Sequence, residues 1–180
     1  MHEHRFHGDI ARLRSPERLA WLEVERVTEA AIAGQPLHSA LDVGTGSGLF
    51  AEAFAKTGLT VDGLDANPEM LSAAREIVQG VAFREGTAEA LPYAAGSFDL
   101  VFMGLLLHET DDQLKAMQEA ARVARRRVVI LEWPYAEQPM GPGLDERLTQ
   151  QQIGELAVQA GFRVTSITTL DRLVLYVLEK

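Results

Sequence analysis

The chain has 180 residues, 47% of them apolar, so one domain with a substantial core is expected. Its 17 Lys and Arg against 26 Asp and Glu give a formal charge of -9, which disfavours nucleic acid as a partner. The absence of cysteine excludes disulfides and thiolate zinc sites and favours a cytoplasmic protein, with a secreted one left open.

The N-terminus shows no apolar signal core, and the most continuous apolar run, Leu100 to Leu107, is far shorter than the roughly 20 residues of a membrane span. His2, His4 and His7 have a spacing that could hold a metal only with a ligand from elsewhere; the plainer reading is solvated histidines or a polar, mobile cover over a pocket, and no metal is expected. Ser15-Pro16 is an N-cap followed by a first-turn proline, and Ala20, Val24, Val27 and Ala31 form the apolar stripe of a helix that Gly34 and Pro36 stop. Residues 1–36 are thus expected to form a helical cover on a core of residues 37–180.

Leu37 to Val43 reads as a strand entering Gly44-Thr45-Gly46-Ser47-Gly48, and Leu49, Phe50, Ala53 and Phe54 mark the helix that follows as far as Gly58. A second strand, Leu59 to Leu64, ends at Asp65. Asn67-Pro68 then caps a helix with Leu71, Ala74, Ile77 and Val78 on its inner side. Val81 to Glu85 is a third strand, Gly86 to Pro92 a turn, and Ser97 to Met103 a fourth strand. Thr110 to Gln113 has the form of a capping box, with Leu114, Met117, Ala121 and Ala124 inward, and Arg125-Arg126-Arg127 reads as a solvated helix C-terminus. Val128 to Leu131 is a strand buried on both faces, and Pro134 to Leu148 is a long loop of the kind that forms lids or binding segments. Thr149 to Gln152 caps a last helix before two strands, Phe162 to Ile167 and Leu173 to Leu178.

Strand and helix alternate up to the fifth strand, which predicts an α/β, doubly wound, Rossmann-like and mostly parallel sheet. The short link between the last two strands makes them antiparallel neighbours. In such a sheet a ligand sits beyond the carboxyl ends of the strands, where Asp42, Asp65, Thr87 to Glu89, Gly104 to Glu109 and Glu132 to Tyr135 all fall. The glycine loop lets a ligand lie against the backbone and ends at a helix start with unpaired N–H groups. Leu49 stands where a dinucleotide fingerprint has its third glycine, so a nicotinamide enzyme is disfavoured although Asp65 suits any ribose diol.

Asp42-x-Gly44-x-Gly46-x-Gly48 resembles the first motif of the class I S-adenosylmethionine-dependent methyltransferases. With Asp65, Gly86 to Glu89 and Gly96-Ser97-Phe98-Asp99-Leu100-Val101, the resemblance covers almost the whole chain and is to the small type 11 members. It implies a sheet of seven strands with one antiparallel strand near the C-terminus, and S-adenosylmethionine as methyl donor with S-adenosylhomocysteine as product. It also implies that Asp42 and the backbone of Gly44, Thr45, Gly46, Ser47 and Gly48 hold the methionine end, Asp65 the ribose, and Ala66 and Met70 the faces of the adenine. Thr87, Ala88 and Glu89 match the segment at the adenine edge, with Thr87 where the family often has an acid, and Met103, Gly104 and His108 follow along the cofactor.

Methyl transfer from a sulfonium is an in-line displacement, so alignment is its main requirement and a base is needed only for a protonated acceptor. His108 and Glu132, with Glu109, are the candidate bases by position; Tyr93, Trp133 and Tyr135 are candidate walls of an acceptor pocket or plain rim packing. Gly104-Leu105-Leu106-Leu107 stands in place of the Asn/Asp-Pro-Pro-Tyr element of base-methylating enzymes, and no cysteine is present for arsenite chemistry. A small-molecule acceptor of unread identity remains. A non-catalytic module of the same fold, binding the cofactor or a partner protein, would carry the same residues.

Overall fold

The computed structural model of the chain describes residues 13–180. Among these, strands β1 (Ser39–Val43), β2 (Thr60–Asp65), β3 (Ala82–Glu85), β4 (Phe98–Gly104), β5 (Ala124–Glu132), β6 (Arg163–Thr169) and β7 (Val174–Glu179) form one seven-stranded sheet in the order β3-β2-β1-β4-β5-β7-β6. Pairings from β3 to β5 are parallel, and β7 is antiparallel to both β5 and β6. The reversal follows from chain length: residues 170–173 form only a turn, closed by Leu170 N–H donating to the Leu173 carbonyl at 2.9 Å, and a parallel return needs a crossover.

The helices are α1 (Pro16–Leu22), α2 (Val24–Ile32), α3 (Leu49–Lys56), α4 (Pro68–Ile77), α5 (Gln113–Val123) and α6 (Gln150–Gln159). The two residue alternations of the central strands feed two cores. Leu41, Val43, Val101, Met103, Val128 and Ile130 pack under α5 and α6, while Ala40, Leu100, Phe102, Val129 and Leu131 pack under α1 to α3. Burial on both faces explains why β4 and β5 read as continuous apolar runs. Three helix starts obey their sequence signals: Ser15 and Asn67 side chains cap α1 and α4 ahead of a first-turn proline, and Thr149 and Gln152 form a reciprocal capping box on α6.

Local signals were overridden at four places. The expected first helix breaks at Glu23, which adopts φ 48° and ψ 45°; its carboxylate accepts from Asp171 N–H at 2.7 Å and from Arg26 at 2.6 Å, so a tertiary contact holds the bend, and Ala20 is left exposed. Thr110 is not a cap: its hydroxyl donates to the Leu107 carbonyl, and Asp112 caps α5 by accepting from Lys115 N–H at 2.9 Å. Ile77 is 46% exposed because α4 ends there, and the extended Val78 turns inward instead. Arg125 to Arg127 belong to β5 and not to a solvated helix end. Arg125 pairs with buried Asp99 at 2.7 Å, and buried Arg127 donates to the Ala31 and Ala33 carbonyls and pairs with Glu179. These contacts tie α2, β4, β5 and β7 together at the end of the sheet opposite the carboxyl ends of the parallel strands.

No helix among the described residues is long and apolar enough to cross a membrane. His2, His4, His7 and the leading part of the expected cover lie outside the described residues.

Arg127→Ala removes the cation of this knot, leaves the Ala31 and Ala33 carbonyls without this donor and leaves Glu179 with its bond from Gln35. Breaking a buried ion pair costs about 3–5 kcal/mol, and the part-exposure of Glu179 brings the expected loss to about 2–4 kcal/mol. Urea unfolding of the variant should show it as a lowered midpoint; a midpoint equal to wild type would deny the knot its role.

Candidate active site

The parallel register sets the ends of the inner strands level. Val43 lies beside Leu64 and Met103, Asp65 beside Glu85, and Gly104 beside Leu131. The residues that follow, Gly44, Asp65 to Ala66, Gly86, Leu105 and Glu132, therefore line one edge as the sequence reading expected.

The glycine loop is built around Asp42. This carboxylate is 2% exposed, and its Oδ2 accepts from the Thr45 hydroxyl at 2.7 Å and from Ala51 N–H, in the first turn of α3, at 3.0 Å. Gly44 and Thr45 N–H both donate to the Leu64 carbonyl, and Gly48 N–H to the Thr45 carbonyl. Gly48 then opens α3 at φ 76°. With Ala51 N–H taken by Asp42, the first-turn donors that α3 offers outward are those of Leu49 and Phe50. A Cβ on Gly44 would stand 2.8 Å from Leu106 Cδ1, so the loop backbone and the segment after β4 are in direct contact. Thr45 and Ser47 side chains are buried, which leaves the backbone as what this loop presents.

Asp65 sits across from the loop. Its Oδ2 accepts from Gly46 N–H at 2.7 Å and its Oδ1 from Asn67 N–H at 2.8 Å, and a carboxylate oxygen can accept more than one hydrogen bond. Ala66 is half-buried, whereas Met70 and Met103 are buried core side chains, so Met103 offers the cleft its backbone alone. Thr87 and Ala90 form an isolated bridge that places Ala88 inward and leaves Glu89 half-buried. This turn is pinned from α5: Glu119 accepts from Leu91 N–H at 2.9 Å, and Arg122 donates to the Leu91 and Tyr93 carbonyls. Their three-residue spacing on one helix was the available signal, and it reads equally as a surface pair.

At the exit of β4, Leu105 takes φ 55°, a conformation that costs a branched residue strain, and its N–H donates to the Leu131 carbonyl at 2.7 Å. The turn sends Leu106 toward Gly44, Leu107 into the core, and His108 toward β5. His108 and Glu132, 24 residues apart, meet here. Nδ1 of the imidazole lies 2.8 and 3.0 Å from the two oxygens of Glu132, which also accepts from the backbone N–H of His108 and of Trp133. Both side chains are buried, at 7% and 2% exposure, and the other ring nitrogen, Nε2, is 3.8 Å from Glu109. Burial pushes the imidazole pKa down, but the hydrogen bond and charge of Glu132, with the charges of Glu109 and Glu146, outweigh it and hold the group above its ordinary 6.5.

Glu146 belongs to the segment after β5, which is shaped by a residue the sequence reading passed over. Buried Arg147 donates to the carbonyls of Pro134, Ala136, Met140 and Pro142, and its guanidinium lies 5.3 Å from the Trp133 ring centre. Trp133 is closed on its other side by Trp21 and against Gly141, so it is packing and not an open wall. Tyr93 packs edge-on against Phe98, at the far end of β4 from His108, and leaves the site altogether. Tyr135 is exposed.

Burial raises the Asp42 pKa from an ordinary 3.8 to about 7, against the opposing hydrogen bonds of Thr45 and Ala51. The unfolded chain thus releases this proton near 3.8 and the folded chain near 7, so the folded state binds more protons in between, and stability falls as pH rises across that window. The contribution is at most about 4 kcal/mol. Asp42→Asn should flatten the decline, read as urea midpoints at pH 5 and 7.5; an unchanged slope would place its source elsewhere.

Comparison with known proteins agrees with this geometry. The methyltransferase domain family matches residues 41–131, from β1 through the end of β5. An uncharacterized methyltransferase of Synechocystis sp. is 34% identical over 149 residues, covering 74% of this chain and 70% of that protein. A demethylmenaquinone methyltransferase of Chlorobaculum parvum is 41% identical over 86 residues, 47% of this chain and 36% of its own length. An uncharacterized methyltransferase of Bacillus subtilis is 37% identical over 116 residues, 61% of this chain and 45% of that protein, so the chain spans less than half the length of these last two relatives. Among solved structures, a SAM-dependent methyltransferase from Aquifex aeolicus superposes with a TM-score of 0.83 at 25% identity, covering 94% of this chain and 96% of that one. With the domain match over residues 41–131 and the seven-stranded sheet with its reversed β7, the chain belongs to the S-adenosylmethionine-dependent methyltransferases of the type 11 methyltransferase domain family.

Proposed function

We propose that the chain methylates a small-molecule acceptor whose accepting atom first gives a proton to His108. The observation that carries this reading is the grip of buried Glu132 on His108 Nδ1 beside the glycine loop. S-adenosylmethionine supplies a methyl group on a positively charged sulfur, which makes the carbon electrophilic.

The cradle fits that cofactor. The Gly44 to Gly48 backbone and the Leu49 and Phe50 N–H groups suit the methionine carboxylate, with Asp42 holding the loop from within. Asp65 suits the ribose hydroxyls, Ala66 and Met70 the adenine faces, and Thr87, Ala88 and Glu89 its edge. Met103 and Gly104 supply backbone along the floor. Of the expected cover on the 37–180 core, residues 13–36 lie within the described part, where Arg14 reaches the glycine loop, and the formal charge of -9 makes a small molecule the better partner than nucleic acid.

The base works through its tautomer. A carboxylate on Nδ1 keeps the proton there and leaves the Nε2 lone pair to accept one. The acceptor's proton would pass to Nε2, and the electron pair left behind would form the new bond to carbon as the carbon–sulfur bond breaks and its pair returns to sulfur, releasing S-adenosylhomocysteine. Glu132 stabilises the imidazolium that results, and its own place is fixed by two backbone N–H donors. Because a relative is named demethylmenaquinone methyltransferase, demethylmenaquinone belongs among the acceptors tried.

The test is methyl transfer from labelled S-adenosylmethionine to a metabolite extract and to demethylmenaquinone, with product identified by mass. With an acceptor in hand, turnover should rise with pH through an inflection above 6.5, since only the deprotonated imidazole accepts. Glu132→Gln should move that inflection down, and His108→Ala should lower turnover by about 10² to 10⁴ while cofactor affinity holds. Near-normal turnover in His108→Ala would remove the base and leave alignment as the source of catalysis.

Asp65→Ala should weaken S-adenosylhomocysteine binding by roughly ten- to a hundredfold, because hydrogen bonds to a charged acceptor are worth about 1.5–3 kcal/mol. Calorimetry on a folded variant with wild-type affinity would exclude Asp65 from the ribose site.

A further inference from the structure

Arg14 joins the segment ahead of α1 to the glycine loop. Its Nε and Nη2 both donate to the Ser47 carbonyl, at 3.2 and 3.1 Å, and its Nη1 pairs with Glu52 at 2.7 Å. Glu52, on α3, is held from its other side by Lys56 at 2.7 Å. The guanidinium is thus fixed in plane, with two of its donors on a single backbone oxygen, and it lies partly buried where α1 and α3 approach.

The peptide that Arg14 grips is the one that orients the loop's end. In a trans peptide the Ser47 carbonyl and the Gly48 N–H point in opposite directions. Gly48 N–H is turned to the Thr45 carbonyl at 2.9 Å, and the Ser47 oxygen is turned out to Arg14. Glycine at position 48, at φ 76° and ψ 22°, leaves this plane free to turn by itself. A turned plane would bring the Ser47 oxygen against the Thr45 carbonyl, and their repulsion would deform the loop just ahead of the Leu49 and Phe50 N–H groups that receive a carboxylate.

We infer that Arg14 is a positioning residue for the amino-acid tail of the cofactor, acting through the Ser47 carbonyl. The inference rests on the reading that the glycine loop holds that tail. It makes the tail and the nucleoside separable: Arg14 governs the first and leaves Asp65 and the adenine segment untouched.

Calorimetry with two probes tests it. S-adenosylhomocysteine carries the tail, and 5′-methylthioadenosine keeps the nucleoside without it. Arg14→Ala should weaken S-adenosylhomocysteine about tenfold and leave 5′-methylthioadenosine unchanged, the scale of a lost charged hydrogen bond. Arg14→Lys, which keeps the charge without the fork, should fall between wild type and alanine, and serves if the alanine variant fails to fold. Unchanged S-adenosylhomocysteine affinity, or an equal loss for both probes, would overturn the inference, the second because it marks general loosening. Wild-type protein that binds neither probe would overturn the cofactor reading on which it stands.

Discussion

One buried carboxylate sets the geometry of the cleft. Asp42 is the last residue but one of β1, which β2 and β4 flank, and a single oxygen of its side chain takes the Thr45 hydroxyl and the first-turn Ala51 N–H of α3. Strand, loop and helix are thereby one rigid unit, and two helix donors stay directed outward because the third is consumed. The arrangement costs stability, since a carboxylate in this position prefers to be protonated up to about pH 7.

The rest of the cleft uses the same device, an acid spent on backbone donors. Glu132 takes the N–H groups of His108 and Trp133 as well as the imidazole, Glu119 takes Leu91 N–H, and Asp65 takes Gly46 and Asn67. Each bond ties a loop to a strand or helix, so the loops that carry the site are located by charge-assisted hydrogen bonds more than by apolar packing. The opposite end of the sheet uses buried charge differently. Asp99 and Arg127 close against neighbouring elements and present nothing to a ligand.

The long segment after β5 shows how a loop without secondary structure can be well defined. Arg147 satisfies four of its carbonyls from the inside and stacks on Trp133, so the segment is fastened at its root and carries Glu146 to the vicinity of His108. Such a loop is a wall more than a swinging lid.

By itself the sequence determined the sheet, its reversal and the strand-end positions of the glycine loop and Asp65, because those rest on short-range rules: burial period, capping residues, a link too short for a crossover, and glycines where a loop must take positive φ. Asp42, Gly44 to Gly48 and Asp65 were legible because each lies within a few residues of a strand end. The break at Glu23 and the strand identity of Arg125 to Arg127 were not, since a bond to Asp171 and an ion pair with Glu179 decide them from 148 and 52 residues away. The sequence placed His108 and Glu132 on one edge, but only the tertiary structure brought them to 2.8 Å, through a strained Leu105 that no propensity predicts. Arg14 and Arg147 stayed silent for a related reason: each guanidinium donates to backbone carbonyls, Ser47 for the one and four of its own loop for the other, and carbonyls have no sequence.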